Sequence, residues 1–461
     1  MQKQTALILA LLIALAAPAC AQPQIFTDFF NATAHIIDND ILDDAHTIEV
    51  ALAAGSSGLI DLKAILISRW VTYEDKWNIV VQQGWAGMLR TAAIKDGFAN
   101  VPPIYSGVPN GTTFDQRIPE SLRIEDTVPF NTPAGRKIVE EALKCTPANP
   151  LVVIVGGRAT CVADAYLINP AIADNVIVAE YLDYVGGDGR LPGYNIHQDK
   201  WAANIVLKNF RVLGAFSNRI YDYAPEVFLD AASDADRTKM PGTHLKEVMC
   251  LKSHPLLTKE HADGDGHAHA LLQAGFKLVK SYETWSYDRW ENGNAYLKRD
   301  PNGRIVKIGH YTSRDAVTAA WWNIFNAPGA FSDTVRTIEV TLFDGPDYKG
   351  SYKENGPHFR TGVNYERSIP QGAYTKDDLW SFYSIADKTI SSMRVPAGLK
   401  ITLFEGENFN GPSATYTKDT PNLGPLNNAA SSLKIEQENS QENGQISKSP
   451  PAKPSPPRTA S

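Results

Sequence analysis

Cysteine is scarce, with four in 461 residues, and Cys20 falls in the apolar start of the chain. The other three, Cys145, Cys161 and Cys250, cannot all pair, and a chain of this length has core enough to fold without bridges. A Cys145–Cys161 bridge and buried free thiols both satisfy the sequence. Positive charge is also short: 44 Lys and Arg stand against 51 Asp and Glu, a net charge of -7, with no basic block. That excludes nucleic acid as a partner, because nothing neutralises a run of phosphates. A membrane span is missing too. The apolar run Ala6 to Ala17, behind Lys3 and ahead of Ala19-Cys20-Ala21, is too short to cross a bilayer. It reads as a secretory signal over residues 1–21, cut after Ala21. Ala17, where a lipoprotein signal carries Leu, argues against lipidation of Cys20. The mature chain is therefore expected to be secreted, or periplasmic in a Gram-negative host, where Asn31-Ala32-Thr33 is a sequon only if that host is eukaryotic.

What the chain does have is 43% hydrophobic residues and 10% aromatics, enough for two or three domains. Short apolar runs, His35–Asp38, Leu62–Ser68, Leu151–Val155, Asn175–Glu180 and Phe210–Phe216, alternate with amphipathic stretches such as Glu74–Ile94, Cys161–Leu167 and Lys200–Lys208. Continuous Val/Ile runs in a βαβ rhythm predict an α/β fold, a doubly wound and mostly parallel sheet covered on both faces, over residues 22–330. Past Phe325 the texture changes. Val340-Thr341-Leu342-Phe343-Asp344-Gly345 is echoed by Ile401-Thr402-Leu403-Phe404-Glu405-Gly406, so residues 336–437 read as two all-β units packed as a pair. Residues 438–461, ending in Pro and Ser, have little to bury and read as a disordered tail.

The densest chemical signal is Asp38-Asn39-Asp40-Ile41-Leu42-Asp43-Asp44, directly behind the first strand. Crowded carboxylates raise one another's pKa, so either a proton is shared or a cation sits among them. Oxygen-only donors suit a hard cation, Ca2+ or Mg2+, rather than zinc. An acidic cap on the following helix explains one of these residues, not all of them. Open α/β sheets bind ligands beyond their strand ends, which is where this knot lies.

Asp38-Asn39-Asp40-Ile41-Leu42-Asp43-Asp44-Ala45 resembles the fingerprint of the inosine/uridine-preferring nucleoside hydrolases, a Ca2+-dependent family on a doubly wound α/β fold. Three further echoes follow in order: Gly157-Arg158-Ala159-Thr160-Cys161-Val162-Ala163, Gly193-Tyr194-Asn195-Ile196-His197-Gln198-Asp199-Lys200-Trp201-Ala202-Ala203, and Gly264-Asp265. The resemblance implies that Asp40 ligates Ca2+ and acts as general base on a water. It implies further metal ligands in Asp44, the backbone carbonyl of Thr160, and Asp265, which Asp263 rivals. Asp43 and Asn195 would bond ribose hydroxyls, and Asp38 would orient them from behind. The chemistry is consistent, because N-glycosidic cleavage builds positive charge on the sugar and anionic side chains stabilise it. Departures are equally specific. The acidic loop is shorter and lacks Pro-Gly, Gly193 replaces a Glu, Gly264 replaces a His, and Leu66-Ile67-Ser68-Arg69-Trp70 lacks the usual Gly-Asn.

Other readings compete. His261, His267 and His269 suggest zinc, but i, i+2 spacing does not converge on a helix. His267 or His269 is a candidate stand-in for the missing leaving-group acid. Trp285, Tyr287 and Trp290 either stack a nucleobase or pack a core. A strand-end Asp-x-Asp also opens the haloacid-dehalogenase phosphohydrolases, which carry Thr or Val where Leu42 stands here.

In the second domain, Phe343, Tyr348 and Gly350, and again Phe404, Phe409 and Gly411, carry spacing that resembles the Greek-key βγ-crystallins. Asn427-Asn428-Ala429-Ala430-Ser431-Ser432 matches the six-residue Ca2+ loop of microbial relatives at every specified position, whereas Asp387-Lys388-Thr389-Ile390-Ser391-Ser392 has Lys388 in the second slot. The resemblance implies a second Ca2+ site at Asn427, Asn428 and Ser431, and a role in stability or in surface or glycan attachment. The sequence thus leads to a secreted, Ca2+-dependent hydrolase of nucleoside-like N-ribosides. The alternative is a non-catalytic extracellular Ca2+-binding protein on the same fold.

Overall fold

The computed structural model describes residues 22–40, 45–68, 79–108, 112–179, 181–182, 185–214, 227–229, 244–245, 261–263, 267–327, 329, 339–350, 365–383 and 385–438. Helix α1 (Gln24–Asn31) precedes six short strands. These are β1 (Ala34–Asn39), β2 (Asp61–Ile67), β3 (Ile104–Ser106), β4 (Leu151–Val155), β5 (Val176–Ala179) and β6 (Arg211–Gly214). Between them lie α2 (Ala45–Ser56), α3 (Ile79–Lys95), α4 (Pro133–Ala142), α5 (Thr160–Ile168), α6 (Tyr194–Gln198) and α7 (Lys200–Asn209). A two-stranded antiparallel ribbon, β7 (Val227–Leu229) with β8 (His261–Asp263), is followed by α8 (His267–Ala274). Strands β9 (Val279–Glu291), β10 (Asn294–Arg299) and β11 (Ile305–Tyr311) then lead into α9 (Arg314–Phe325).

One nine-stranded sheet runs β10-β9-β11-β6-β5-β4-β1-β2-β3. From β3 to β11 every pairing is parallel, and β9 and β10 add an antiparallel edge. The order 3-2-1-4-5-6 reverses direction between β1 and β4, and that reversal opens a crevice at the carboxyl ends of those two strands. The sheet is covered on both faces. Ile37, Ile65 and Ile154 pack under α2, α3, α8 and α9, while Ile36, Leu66 and Val153 pack under α4, α5 and α7. Burying each such side chain contributes about 1.5–3 kcal/mol, which explains why β4 is apolar along its whole length and β1 at Ile36 and Ile37.

Residues 340–437 form two smaller sheets. β13 (Glu366–Ile369), β12 (Val340–Phe343) and β15 (Ser392–Arg394) make one. The other is β14 (Gly372–Tyr374), β18 (Ser432–Gln437), β16 (Leu399–Phe404) and β17 (Ser413–Tyr416). β14 comes from the first repeat yet pairs with β18 of the second, so the repeats share a strand and one core of Val340, Leu342, Ile401, Leu403 and Leu433.

The two domains are joined through buried charge. Arg90 on α3 pairs with Glu339, both side chains 1% exposed. Its Nη1 donates to the Ser368 carbonyl at 2.7 Å and its Nε to the Pro102 carbonyl at 2.6 Å. Arg367 of β13 is also fully buried and lies against Gly87 of α3, where an added Cβ would sit 3.5 Å from its Nε. Lys95 pairs with Glu366 at the rim, 2.7 Å apart, and helix α10 (Lys376–Tyr383) packs on α3 and β3. Removing one member of a buried pair strands the other and costs about 3–5 kcal/mol. Glu339→Ala should therefore lower the stability of both domains in a single urea transition by about that amount, with Arg90→Met/Glu339→Leu recovering most of it. Two separate transitions in the unaltered protein would contradict this.

Beneath the crevice, on the sheet face that carries Ile37, lies a buried histidine. His35 bonds the Thr33 carbonyl through Nδ1 at 2.9 Å. Burial holds its pKa down at about 4. His269 of α8 is held at about 3 by burial and then by His35. Both stay neutral in the fold while the unfolded chain takes up protons near pH 6.5, so their contribution is present above that pH and is lost as pH falls toward 4. The melting temperature should drop between pH 7 and 4, and His269→Gln should flatten that drop. An unchanged slope would refute the assignment.

Candidate functional sites

The crevice is built by the end of β1. Asp38 shares the α5-side face with Ile36, and its Cα pairs with Leu66 on β2 and Val155 on β4. Its carbonyl accepts from Gly156 N at 2.9 Å, and the Asn39 carbonyl accepts from Ser68 N at 3.1 Å. The three strand ends are thus stitched together. The Asp38 carboxyl is fully buried beside Ser68 and Cys161, neither in good bonding geometry. Burial pushes its pKa up to about 7, against the pull of Ser68, Cys161 and Arg158. Burial likewise pushes the Cys161 thiol well up, which makes it a poor nucleophile.

Arg158 lies in the loop between β4 and α5. It is 1% exposed and donates from Nη1 to the Thr112 carbonyl at 2.7 Å. Its charge acts on Asp38, Cys161 and Asp199 together. A guanidinium therefore already supplies positive charge behind the acids, and one acid keeps a proton near neutrality. Asp40 is 2% exposed. An added Cβ on Gly157 would sit 3.2 Å from the Asp40 carboxylate and 3.1 Å from Ser68 Oγ, so a glycine lets the β4–α5 loop pass close to the acids. Asn195 donates from Nδ2 to the Gly156 carbonyl at 3.0 Å, which brings α6 to the same corner.

Thr160 opens α5, and its hydroxyl donates to Asp199 at 2.8 Å. Asp199 also accepts from Phe114 N at 3.0 Å and caps α7 through Ala202 N at 3.1 Å. Its carboxyl is pushed up to about 6 by burial. Of the residues singled out in the α/β domain, Asp38, Asp40 and Asn195 converge on the crevice, with Thr160 at its back. Asp43, Asp44 and Asp265 lie outside the described residues, as do the leader, the tail and Cys250. Among the described residues no cluster of three His, Cys, Asp or Glu side chains is placed to hold a metal. Ser68, Arg158 and Cys161 escaped sequence reasoning as site residues. Ser68 reads as a strand terminus, and Arg158 as a solvated loop cation.

Three other expectations are settled by packing. Cys145 and Cys161 are free thiols, not a bridge. Of His267 and His269, the two candidates for a leaving-group acid, His269 lies by His35, on the sheet face away from Asp38. Trp285 is core, Trp290 stacks edge-on against Trp201 at 5.0 Å, and Tyr287 donates to Asn204 at 2.9 Å. These aromatics hold the antiparallel edge to α7.

The second domain repeats one corner twice. Ser392 donates to the Gly345 carbonyl at 2.6 Å and accepts from Tyr348 N at 3.0 Å. Ser432 does the same with Gly406 at 2.6 Å and Phe409 N at 2.9 Å. Phe343 meets Tyr348, and Phe404 meets Phe409, each edge-on at 5.9 Å. The six-residue loops face one another. Asn428 N donates to the Ile390 carbonyl at 2.9 Å, and Lys388 N to the Ala430 carbonyl at 3.3 Å. The hydroxyl brought to the Asn428 side chain is that of Ser391, at 2.8 Å. Ser431, in the same loop as Asn428, keeps its hydroxyl buried without a hydrogen bond among the described residues. Asn427 is exposed in the turn and bonds the Gly424 carbonyl through its backbone.

Comparison with known proteins bears on this domain. No family profile matches the chain. Development-specific protein S of Myxococcus xanthus is 41% identical over 70 residues, and a homologue from the same organism 42% over 71. These spans cover 15% of this chain and 39% of the relatives' length. The C-terminal domain is βγ-crystallin-like. Solved structures that resemble the chain include the N-terminal domain of protein S, 29% identical, covering 22% of this chain and 96% of that one, with a TM-score of 0.18. A βγ-crystallin domain from Clostridium beijerinckii is 30% identical over 21% of this chain and 95% of its own, also with a TM-score of 0.18.

Each corner serine is buried with both its bonds made, and leaving such partners unsatisfied costs about 1–3 kcal/mol. Ser392→Ala and Ser432→Ala should each lower stability by that amount in metal-free buffer, as read by thermal denaturation. A neutral result would show that the corners are held by the aromatic pairs alone.

Proposed function

We propose that the chain is a secreted, Ca2+-dependent N-ribohydrolase-like enzyme whose α/β domain carries the chemistry and whose βγ-crystallin-like domain binds Ca2+. The observation that carries this reading is the placement of Asp38 and Asp40 in the crevice between β1 and β4, with Asn195 at the same corner. The donors fit a hard cation, being carboxylates and a carbonyl. Asp40, Asp44, the Thr160 carbonyl and Asp265 would hold the ion, which supplies positive charge for orienting water and the sugar hydroxyls. Asp40 is then the base that takes the water's proton, and Asn195 a hydrogen-bonding group for ribose. Asp38, held protonated near pH 7 by burial, keeps the corner from accumulating charge. Gly157 lets the β4–α5 backbone pass close against Asp40 and Ser68.

In the C-terminal domain the buried Ser391 hydroxyl donates to the Asn428 amide oxygen at 2.8 Å, and the Ser431 hydroxyl is buried without a bond among the described residues. Oxygens left over in this way suit Ca2+. Among the described residues no helix is long and apolar enough to cross a membrane, which is compatible with export and with attachment to surfaces or glycans through this domain.

A second reading, a non-catalytic Ca2+-binding protein, is favoured by Cys161, an inert thiol beside Asp38, and by Arg158, which already offsets part of the acid charge. The two readings separate in one experiment. Release of free base from a panel of nucleosides should be lost on chelation and fall at least about a hundredfold in Asp40→Asn, the scale of general-base catalysis. No release from any nucleoside, with calcium still taken up, would establish the binder.

A further inference from the structure

We infer that helix α8 is an acid-released latch: it stays docked under the sheet only while His35 on β1 and His269 on α8 are both neutral. Proton uptake by this pair lifts the helix while the rest of the α/β domain holds. His35 leaves β1 on the face that carries Ile37 and Ile154, and α8 packs Ala268, Ala270 and Leu271 into the same core. Both imidazoles are 0% exposed. His35 Nδ1 is spent on the Thr33 carbonyl at 2.9 Å, which fixes its proton there and leaves Nε2 a bare acceptor. That Nε2 and both ring nitrogens of His269 bond nothing among the described residues. A proton added to either ring is thus a buried charge beside a second imidazole.

The surroundings do little to hold such a charge. Helix α9, which packs on α8, turns Val317, Trp321 and Ile324 into this core and keeps Asp315 exposed, as Lys277 is after α8. The titratable groups buried in the layer are Glu49 of α2, His267 of α8 and Tyr311 of β11, whose ring lies 5.5 Å from that of His267. Burial and then His35 set the basicity of His269, with no carboxylate offsetting them, and at His35 burial outweighs the Thr33 carbonyl and Asp61. Each contribution is complete above the free imidazole value of 6.5 and is lost as pH falls through about 4 for His35 and about 3 for His269. Strand β1 is pinned between β2 and β4, whereas α8 has eight residues and docks by side-chain packing, so the helix is the element that yields. On the calcium reading above, α8 begins two residues after Asp265, so its release withdraws an expected ligand of the α/β site.

Hydrogen exchange read by mass spectrometry on the full-length protein, corrected for the intrinsic rate at each pH, compares the opening of α8 with that of α5 on the other face. Between about pH 6 and 4.5 the opening constant of α8 should rise about tenfold per pH unit for each histidine that takes up a proton, while α5 stays protected. His269→Gln should remove one such factor. His35→Asn, whose amide keeps the bond to the Thr33 carbonyl, should remove another. Differences between variants cancel whatever Glu49 and His267 contribute, and circular dichroism confirms that each variant is folded. Equal pH slopes in the unaltered protein and both folded variants overturn the latch, as does exchange of α8 only together with α5. Should a variant not fold, the unaltered protein decides, because α8 opening that does not change with pH also overturns it. The experiment uses neither metal nor substrate, so its failure leaves the calcium reading standing.

Discussion

Placing carboxylates where a parallel sheet reverses its winding is the constraint around which the α/β half is arranged. Strand β1 must be apolar to lie between β2 and β4, yet it ends in Asp38 and Asp40, both all but inaccessible. An isolated buried carboxylate is costly, so either charge or a proton has to compensate. Both are present. Arg158 brings a guanidinium to the inner side, and Asp38 retains its proton to about pH 7. The surroundings follow from that arrangement. Gly157 lets the β4–α5 loop approach, and Asp199 gathers the first turns of α5 and α7 and the Phe114 backbone around a second raised carboxyl.

How far this was legible depends on the range of the interaction. The run Leu151–Val155 is β4 as it stands, and His35–Asp38 falls within β1, because continuous burial on both faces leaves a continuous apolar signature. The helices at Thr160–Ile168 and Lys200–Asn209 are close to their amphipathic spans. The antiparallel edge from Val279 to Tyr311 was not foreseen. Its strands are half exposed and interleave Lys, Arg and Glu with aromatics, a pattern that fixes neither direction nor neighbour. Arg90 is a similar case. Within a helix it looks like an exposed cation, and only Glu339, distant in sequence, explains its burial.

The second domain shows the same limit in sharper form. Its repeats, aromatic spacing and loop motif are local, and the sequence carries them openly. Which serine meets which asparagine is not local, because two equivalent loops are set face to face. Spacing within one loop pairs Asn428 with Ser431, whereas the fold pairs Asn428 with Ser391. Where two equivalent loops face one another, a side chain of one meets a partner from the other, as Asn428 meets Ser391.

The junction between the domains bears on what the βγ-crystallin-like part is for. An attachment module on a polar, wet interface is free to reorient. Here α3 inserts Arg90 into the second domain, β13 returns Arg367 against Gly87, and α10 covers the seam. Two guanidiniums and a carboxylate buried together are far costlier to separate than a surface contact, since parting them strands charge in low dielectric. Helix α3 belongs to the connection that begins at Ser68, beside the crevice, and ends at β3. Any surface the crystallin-like domain offers to a partner must lie on faces other than this one, and the α/β domain comes with it as a single body.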